Sequence, residues 1–107
     1  MKVNELLNYG FVEVSLPEPE REITGVYIGD LLSWVMGRAK ASDAWITIMS
    51  NENILAVASL ADTACIIAAE GVELSDSVKS TAVSKGINIL SFGGSAYDAA
   101  VKLHGLI

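Results

Sequence analysis

The side chains able to act as nucleophile, base or metal ligand are few, and they do not converge on one stretch. Cys65 is the only cysteine and His104 the only histidine. A reactive thiol needs an exposed, electropositive setting. Cys65 instead lies among Ala64, Ile66 and Ile67, where it reads as a small buried hydrophobe. A histidine acting as general base needs a fixed partner. His104 falls near the carboxyl terminus, where a helix end frays, and reads as a solvated or helix-capping residue. One cysteine leaves no intramolecular disulfide and no cysteine-rich zinc centre. No acid and base, and no nucleophile and activator, stand at a usable spacing. The sequence predicts no catalytic residue, no metal and no cofactor.

Anion recognition has more support. Three segments follow apolar runs and lead into helical patterns: Ser50, Asn51, Glu52 and Asn53; then Glu70, Gly71 and Val72; then Phe92, Gly93, Gly94 and Ser95. In an open parallel sheet, ligands bind where strands hand over to helix N-termini. Gly93 and Gly94 let backbone amides approach an anion, and Ser95 adds a hydroxyl. The competing reading is a tight strand-to-helix turn, because no lysine follows as in a P-loop. Ser50, Asn51, Asn53, Gly71, Gly93, Gly94 and Ser95 are the candidate ligand residues.

Charge narrows the partners. The net charge is −6, and the seven basic residues are scattered. No basic stripe exists to follow a phosphate backbone, which argues against nucleic acid. Glu13, Glu18, Glu20 and Glu22 cluster, but Pro17 and Pro19 hold that segment extended, so it reads as a solvated loop rather than a metal site. Apolar runs fall short of the roughly 20 residues that span a bilayer, and the amino terminus lacks a signal-like pattern. Cytoplasmic residence without a membrane association is the expectation.

The elements that must hold these loops are legible from periodicity. Val3, Leu6 and Leu7 at helical spacing, followed by Gly10, predict a short helix over Lys2 to Tyr9. Phe11 to Leu16 alternates like a strand with one wet face, and Ile23 to Ile28 forms a second short strand. Asp30 is placed as the N-cap of a helix carrying Leu31, Leu32, Val35, Met36 and Ala39, with Gly37 expected at a close backbone approach. Strands are predicted over Ala44 to Met49, Ala64 to Ala68 and Ile87 to Ser91. Helices are predicted over Asn53 to Leu60, over Asp76 to Lys85 between Ser75 and Gly86, and from Ser95 to Leu103, where Ser95 and Asp98 resemble a capping box. Strands joined by crossover helices run parallel. The fold expected is a compact single α/β domain over 1–107, mostly parallel, with an antiparallel edge strand near the amino terminus, where the two amino-terminal strands pair at an edge or serve a dimer contact. A mean hydropathy of +0.44 implies strands buried on both faces or a surface covered by a second subunit. A homodimer follows as an expectation, with Tyr27, Leu31, Trp34 and Val35 as its candidate interface. Trp34 and Trp45 both read as packing residues, with anchoring of an interface as the alternative for either.

From Ala44 to Leu103 the chain resembles the DRTGG domain, a small α/β module similar to the amino-terminal domain of HPr kinase/phosphorylase. The resemblance rests on AWITIM, NILAVASLADTACIIAAEG, VELSDSVKSTAVSKGINILSF and SAYDAA. The segment GVYIGDLLSWVMGRAK is similar to a stand-alone variant often encoded beside iron hydrogenase components. The resemblance implies a DRTGG-like core over 44–103, a non-catalytic regulatory role, and a partner protein from a redox or hydrogenase system. The Asp-Arg-Thr of the family falls near Met49 to Asn53, where this chain has Ser50, Asn51, Glu52 and Asn53, and the Gly-Gly falls at Glu70 and Gly71. The lost arginine removes a bidentate anion contact. Two functions are expected: a ligand-sensing module for a small anionic metabolite or nucleotide, or an assembly subunit with no small ligand.

Overall fold

A computed structural model describes residues 1–107. Five strands form one sheet in the order β1-β5-β4-β3-β2: β1 is Val12–Ser15, β2 Gly25–Ile28, β3 Asp43–Thr47, β4 Cys65–Ala68 and β5 Ile89–Ser91. Strands β2 to β5 pair in parallel, and β1 closes the far edge antiparallel to β5. The helices are a 3-10 helix over Val3–Tyr9, α1 Leu32–Arg38, α2 Asn53–Ala61, α3 Asp76–Lys85 and α4 Ala96–His104.

Because β2, β3, β4 and β5 lie side by side in chain order, right-handed crossovers put α1, α2 and α3 on the same face. Val35, Ile54, Leu55, Val78 and Ala82 from these helices share a core with Trp45, Ile66 and Ile89 of the sheet. On the opposite face Ala44, Ile46, Cys65, Ile67 and Leu90 pack with Val3 and Leu6 of the 3-10 helix and with Ala99 and Leu103 of α4. Every residue of β3 and β4 is therefore buried. That double coverage explains why these strands lack polar alternation.

Four details differ from the sequence reading. The two amino-terminal strands are not neighbours; they occupy opposite edges of the sheet. In β1 a register irregularity between Glu13 and Ser15 breaks the alternation. Ser15 is consequently buried, donating its hydroxyl to Ile87 O at 2.8 Å, while Val12 is 60 % exposed. Asp30 does not cap α1, whose N-cap is Leu31. Its Oδ1 accepts instead from Thr47 Oγ1 (2.8 Å) and from the Ile48 N–H (2.9 Å), joining the ends of β2 and β3. Gly37 has open space where a Cβ would stand, so no backbone approaches it.

The segment between β1 and β2 passes from one edge of the sheet to the other and is pinned on the way. Asn88 Oδ1 accepts the Glu18 N–H at 2.9 Å, and its Nδ2 donates to Glu18 O (2.7 Å) and Ala64 O (3.0 Å). Arg21 holds the Asp62 carboxylate at 3.0 Å and the Asp62 carbonyl at 2.8 Å.

Candidate functional site

The parallel strands deliver four loops to one end of the sheet. The loop after β4 leads to α3 on one face, and the loop after β5 leads to α4 on the other. Chain leaving adjacent strands in opposite directions opens a crevice at that end. A cleft of about 550 Å³ lies here, lined by Val12, Val14, Gly71, Val72, Glu73, Leu74, Lys79, Ser91, Phe92 and Gly93.

Local backbone chemistry shapes this cleft. Glu70 and Gly71 both take positive φ, +63° and +70°, turning the chain sharply off β4. Their amides are used internally: Glu70 N–H donates to Gly94 O at 2.8 Å and Gly71 N–H to Phe92 O at 3.1 Å. The loops after β4 and β5 are thereby stitched together. The two glycines after β5 serve different ends. A Cβ at Gly94 would fall 2.7 Å from the Phe92 ring, whereas Gly93 has nothing within 4 Å and faces the cleft. Phe92 is itself fixed by stacking on Phe11, with ring centroids 4.8 Å apart.

The start of α4 is already satisfied by the chain. Ser95 Oγ accepts the Asp98 N–H at 3.0 Å, and Glu70 Oε2 accepts the Ala96 N–H at 3.1 Å. The expected capping box is thus only half formed: Asp98 does not accept the Ser95 amide, and Glu70 instead takes the first amide of the helix. A carboxylate at this position complements the helix dipole, as an external anion would.

The Ser50 to Asn53 loop sits apart from the cleft. Asn51 Oδ1 accepts the Asn53 N–H at 2.9 Å, an Asx turn opening α2, and Glu52 accepts the Ser77 hydroxyl at 2.7 Å, tying α2 to α3. Since β3 and β5 flank β4, this loop is roughly 10 Å from the one after β5. Of the candidate ligand residues, Gly71 and Gly93 line the cleft; Gly94 and Ser95 lie behind it; Ser50, Asn51 and Asn53 do not reach it. Lys79, Val12 and Val14 do line it and were not foreseen. Only the pairing of β1 with β5 brings them there, and no local pattern announces that pairing.

The expected interface residues also separate. Val35 is fully buried in the core, so it belongs to no surface, because it is the α1 position that faces Trp45 and the sheet. Tyr27 is half-buried, while Leu31 and Trp34 are 60 % and 53 % exposed. The Arg38 guanidinium lies 3.7 Å over the Trp34 ring. Trp45 is enclosed and donates Nε1–H to Gly29 O at 2.9 Å.

The remaining chemistry-bearing groups have structural settings. Burial pushes the Cys65 thiol up to about 12, with the charge of Arg21 working weakly against it. His104 is exposed on the last turn of α4. Of the acidic cluster, Glu22 pairs with the amino terminus at 3.2 Å and Glu20 with Lys2 at 3.6 Å. No helix is long and apolar enough to cross a membrane.

No protein-family model matches the chain, and no curated protein does. A solved structure does: the CBS and DRTGG domains of the regulatory region of Clostridium perfringens pyrophosphatase, in complex with its activator diadenosine tetraphosphate. The TM-score is 0.69 at 14 % identity, over 91 % of this chain and 43 % of the other. This chain therefore spans less than half of that regulatory region. The neighbour is a pyrophosphatase region and not a hydrogenase component, so the redox context rests on the sequence resemblance alone. What the likeness establishes is architecture, and the chain carries a DRTGG-like α/β fold.

Proposed function

We propose that this chain is a non-catalytic regulatory module that senses a small anionic ligand, a nucleotide or acyl phosphate, in the cleft between β1, β5 and the loop after β4. The observation that carries this reading is the convergence, where the crossovers diverge, of the Lys79 side chain and the open backbone of Gly93. Lys79 is the one cation lining the cleft. A charge-assisted hydrogen bond from it to a phosphate contributes about 1.5–3 kcal/mol. Val12, Val14 and Val72 offer an apolar wall for the rest of the ligand. The fold neighbour supports the same class of role, being a regulatory region held with a nucleotide activator.

Calorimetry and thermal-shift measurements with ATP, a diadenosine polyphosphate and acetyl phosphate test the reading. Lys79→Ala is expected to weaken binding about tenfold, and Gly93→Val to block the cleft without disturbing the fold. Gly94→Val is unsuitable, because its side chain would strike Phe92. No response from the wild type to any of the three compounds refutes the small-ligand reading.

The alternative is an assembly subunit that docks a partner protein, in the resemblance a redox one. It is favoured by the exposed Trp34 indole stacked beneath Arg38, two residue types enriched at interface hot spots. In that case Trp34→Ala abolishes capture of the partner and leaves the melting temperature unchanged.

A further inference from the structure

The two edges of the sheet are built differently. β1 carries Glu13, a register irregularity and, just beyond it, Pro17. These are the devices that stop an edge strand from pairing with another chain. β2, the opposite edge, reads Gly25-Val26-Tyr27-Ile28 and has none of them: no charge, no proline, and an unbroken register with β3. We infer that β2 pairs antiparallel with β2 of a second copy, joining two sheets across a two-fold axis.

The strand is complementary to itself in one register. The Gly29 N–H donates inward to Ile46 O, and the alternation of a parallel ladder then turns the amides and carbonyls of Gly25 and Tyr27 inward and those of Val26 and Ile28 outward. A two-fold through Tyr27 sets Val26 of each copy opposite Ile28 of the other, so that each pair exchanges both N–H···O bonds. Tyr27 then meets its own counterpart on the α1 face.

A four-residue strand alone buries less than the roughly 800 Å² per partner of a standard interface. Apolar side chains beside β2 supply more. On the α4 face Ile28 and Ile107 are exposed around a shared hollow with Val26. On the α1 face Arg38 borders a hollow with Gly25 and Tyr27 and stacks on the exposed Trp34. Charge fits as well. Antiparallel pairing brings the basic end of one β2, near Arg38 and Lys40, toward the partner's carboxyl-terminal end, where Asp30 is exposed.

Sedimentation and amide hydrogen exchange on the full chain test the inference. The wild type is expected to be dimeric at about 100 µM, with the Val26 and Ile28 amides exchanging roughly tenfold slower than at about 1 µM. Ile28→Pro removes only an outward amide, which edge strands tolerate, and Ile28→Lys places a charge at the same exposed position. Both are expected to be monomeric and folded. A wild type that stays monomeric at 100 µM overturns the inference, as does a dimer that survives both substitutions or leaves the two amides unprotected. The ligand cleft lies at the other edge of the sheet, so nucleotide response in Ile28→Lys is read separately and fails or holds independently.

Discussion

Asp30 illustrates how a residue type admits two local solutions. An aspartate before an apolar helical stripe is a natural N-cap, but here its Oδ1 is taken by the hydroxyl of Thr47 and the amide of Ile48. Those partners are the last residue of β3 and the one after it, seventeen and eighteen residues on, so no local window contains them. Asp30→Ala is expected to cost about 2 kcal/mol, the loss of two bonds to a charged acceptor in a half-wet setting. Asp30→Ser distinguishes the roles in urea titrations: a cap would be rescued by serine, whereas this latch, which needs the longer carboxylate, is not. Cys65 was legible, because a thiol amid alanine and isoleucine has one simple setting. Its ordinary value is 9.0 and its folded value about 12. Below pH 9 both folded and unfolded chains keep the proton, and stability does not depend on this group. Between pH 9 and 12 the unfolded chain releases it while the folded chain retains it, so stability falls by about 1.4 kcal/mol per pH unit. Comparing wild type with Cys65→Ala by alkaline denaturation isolates this slope, which the variant lacks; equal slopes would refute the burial effect.

Elements whose ends are set by nearby residues were readable in the sequence. α3 begins with Ser75, whose hydroxyl accepts the Val78 N–H at 3.2 Å, and ends with Gly86 at φ +74°. Both signals lie within a turn of the helix they bound. Ser75→Ala is expected to cost about 1 kcal/mol and Gly86→Ala about the same, through the left-handed conformation. Urea midpoints at unchanged m would show it; losses under about 0.3 kcal/mol for both would mean the helix is held by packing through Val78 and Ala82 alone. β1 was less readable, since its pairing with β5 and its irregularity put Ser15 rather than Val12 inward. The cleft inherits that difficulty. Gly71 and Gly93 were found because glycines follow strands, but Lys79 enters only when α3 is laid beside β1.

At the scale of the molecule, the winding of β2 to β5 was legible from alternating strands and helices, but the layer beneath the sheet was not. Val3, Leu6, Phe11 and Ile23 are buried against α4 and the sheet, though they precede the stretch from Ala44 to Leu103 that carries the family resemblance. Asn88 binds this layer to the strands through both main-chain groups of Glu18 and through Ala64 O. Removing the amino-terminal segment would uncover four large apolar side chains' worth of core, each contributing about 1.5–3 kcal/mol, out of a total stability of about 5–15 kcal/mol for a domain. It would also strip β1 from β5 and β2 from β3. A fragment spanning 44–103 is therefore expected not to fold, giving a collapsed or unfolded circular dichroism and amide NMR signature, whereas the 107-residue chain unfolds in one cooperative step. Asn88→Ala in the full chain is the milder version: the buried carbonyl and amide groups it leaves unpaired cost about 3 kcal/mol. If the fragment gives dispersed amide resonances and a cooperative melt, the layer beneath the sheet is an addition to a self-sufficient core, and the resemblance marks a true structural boundary.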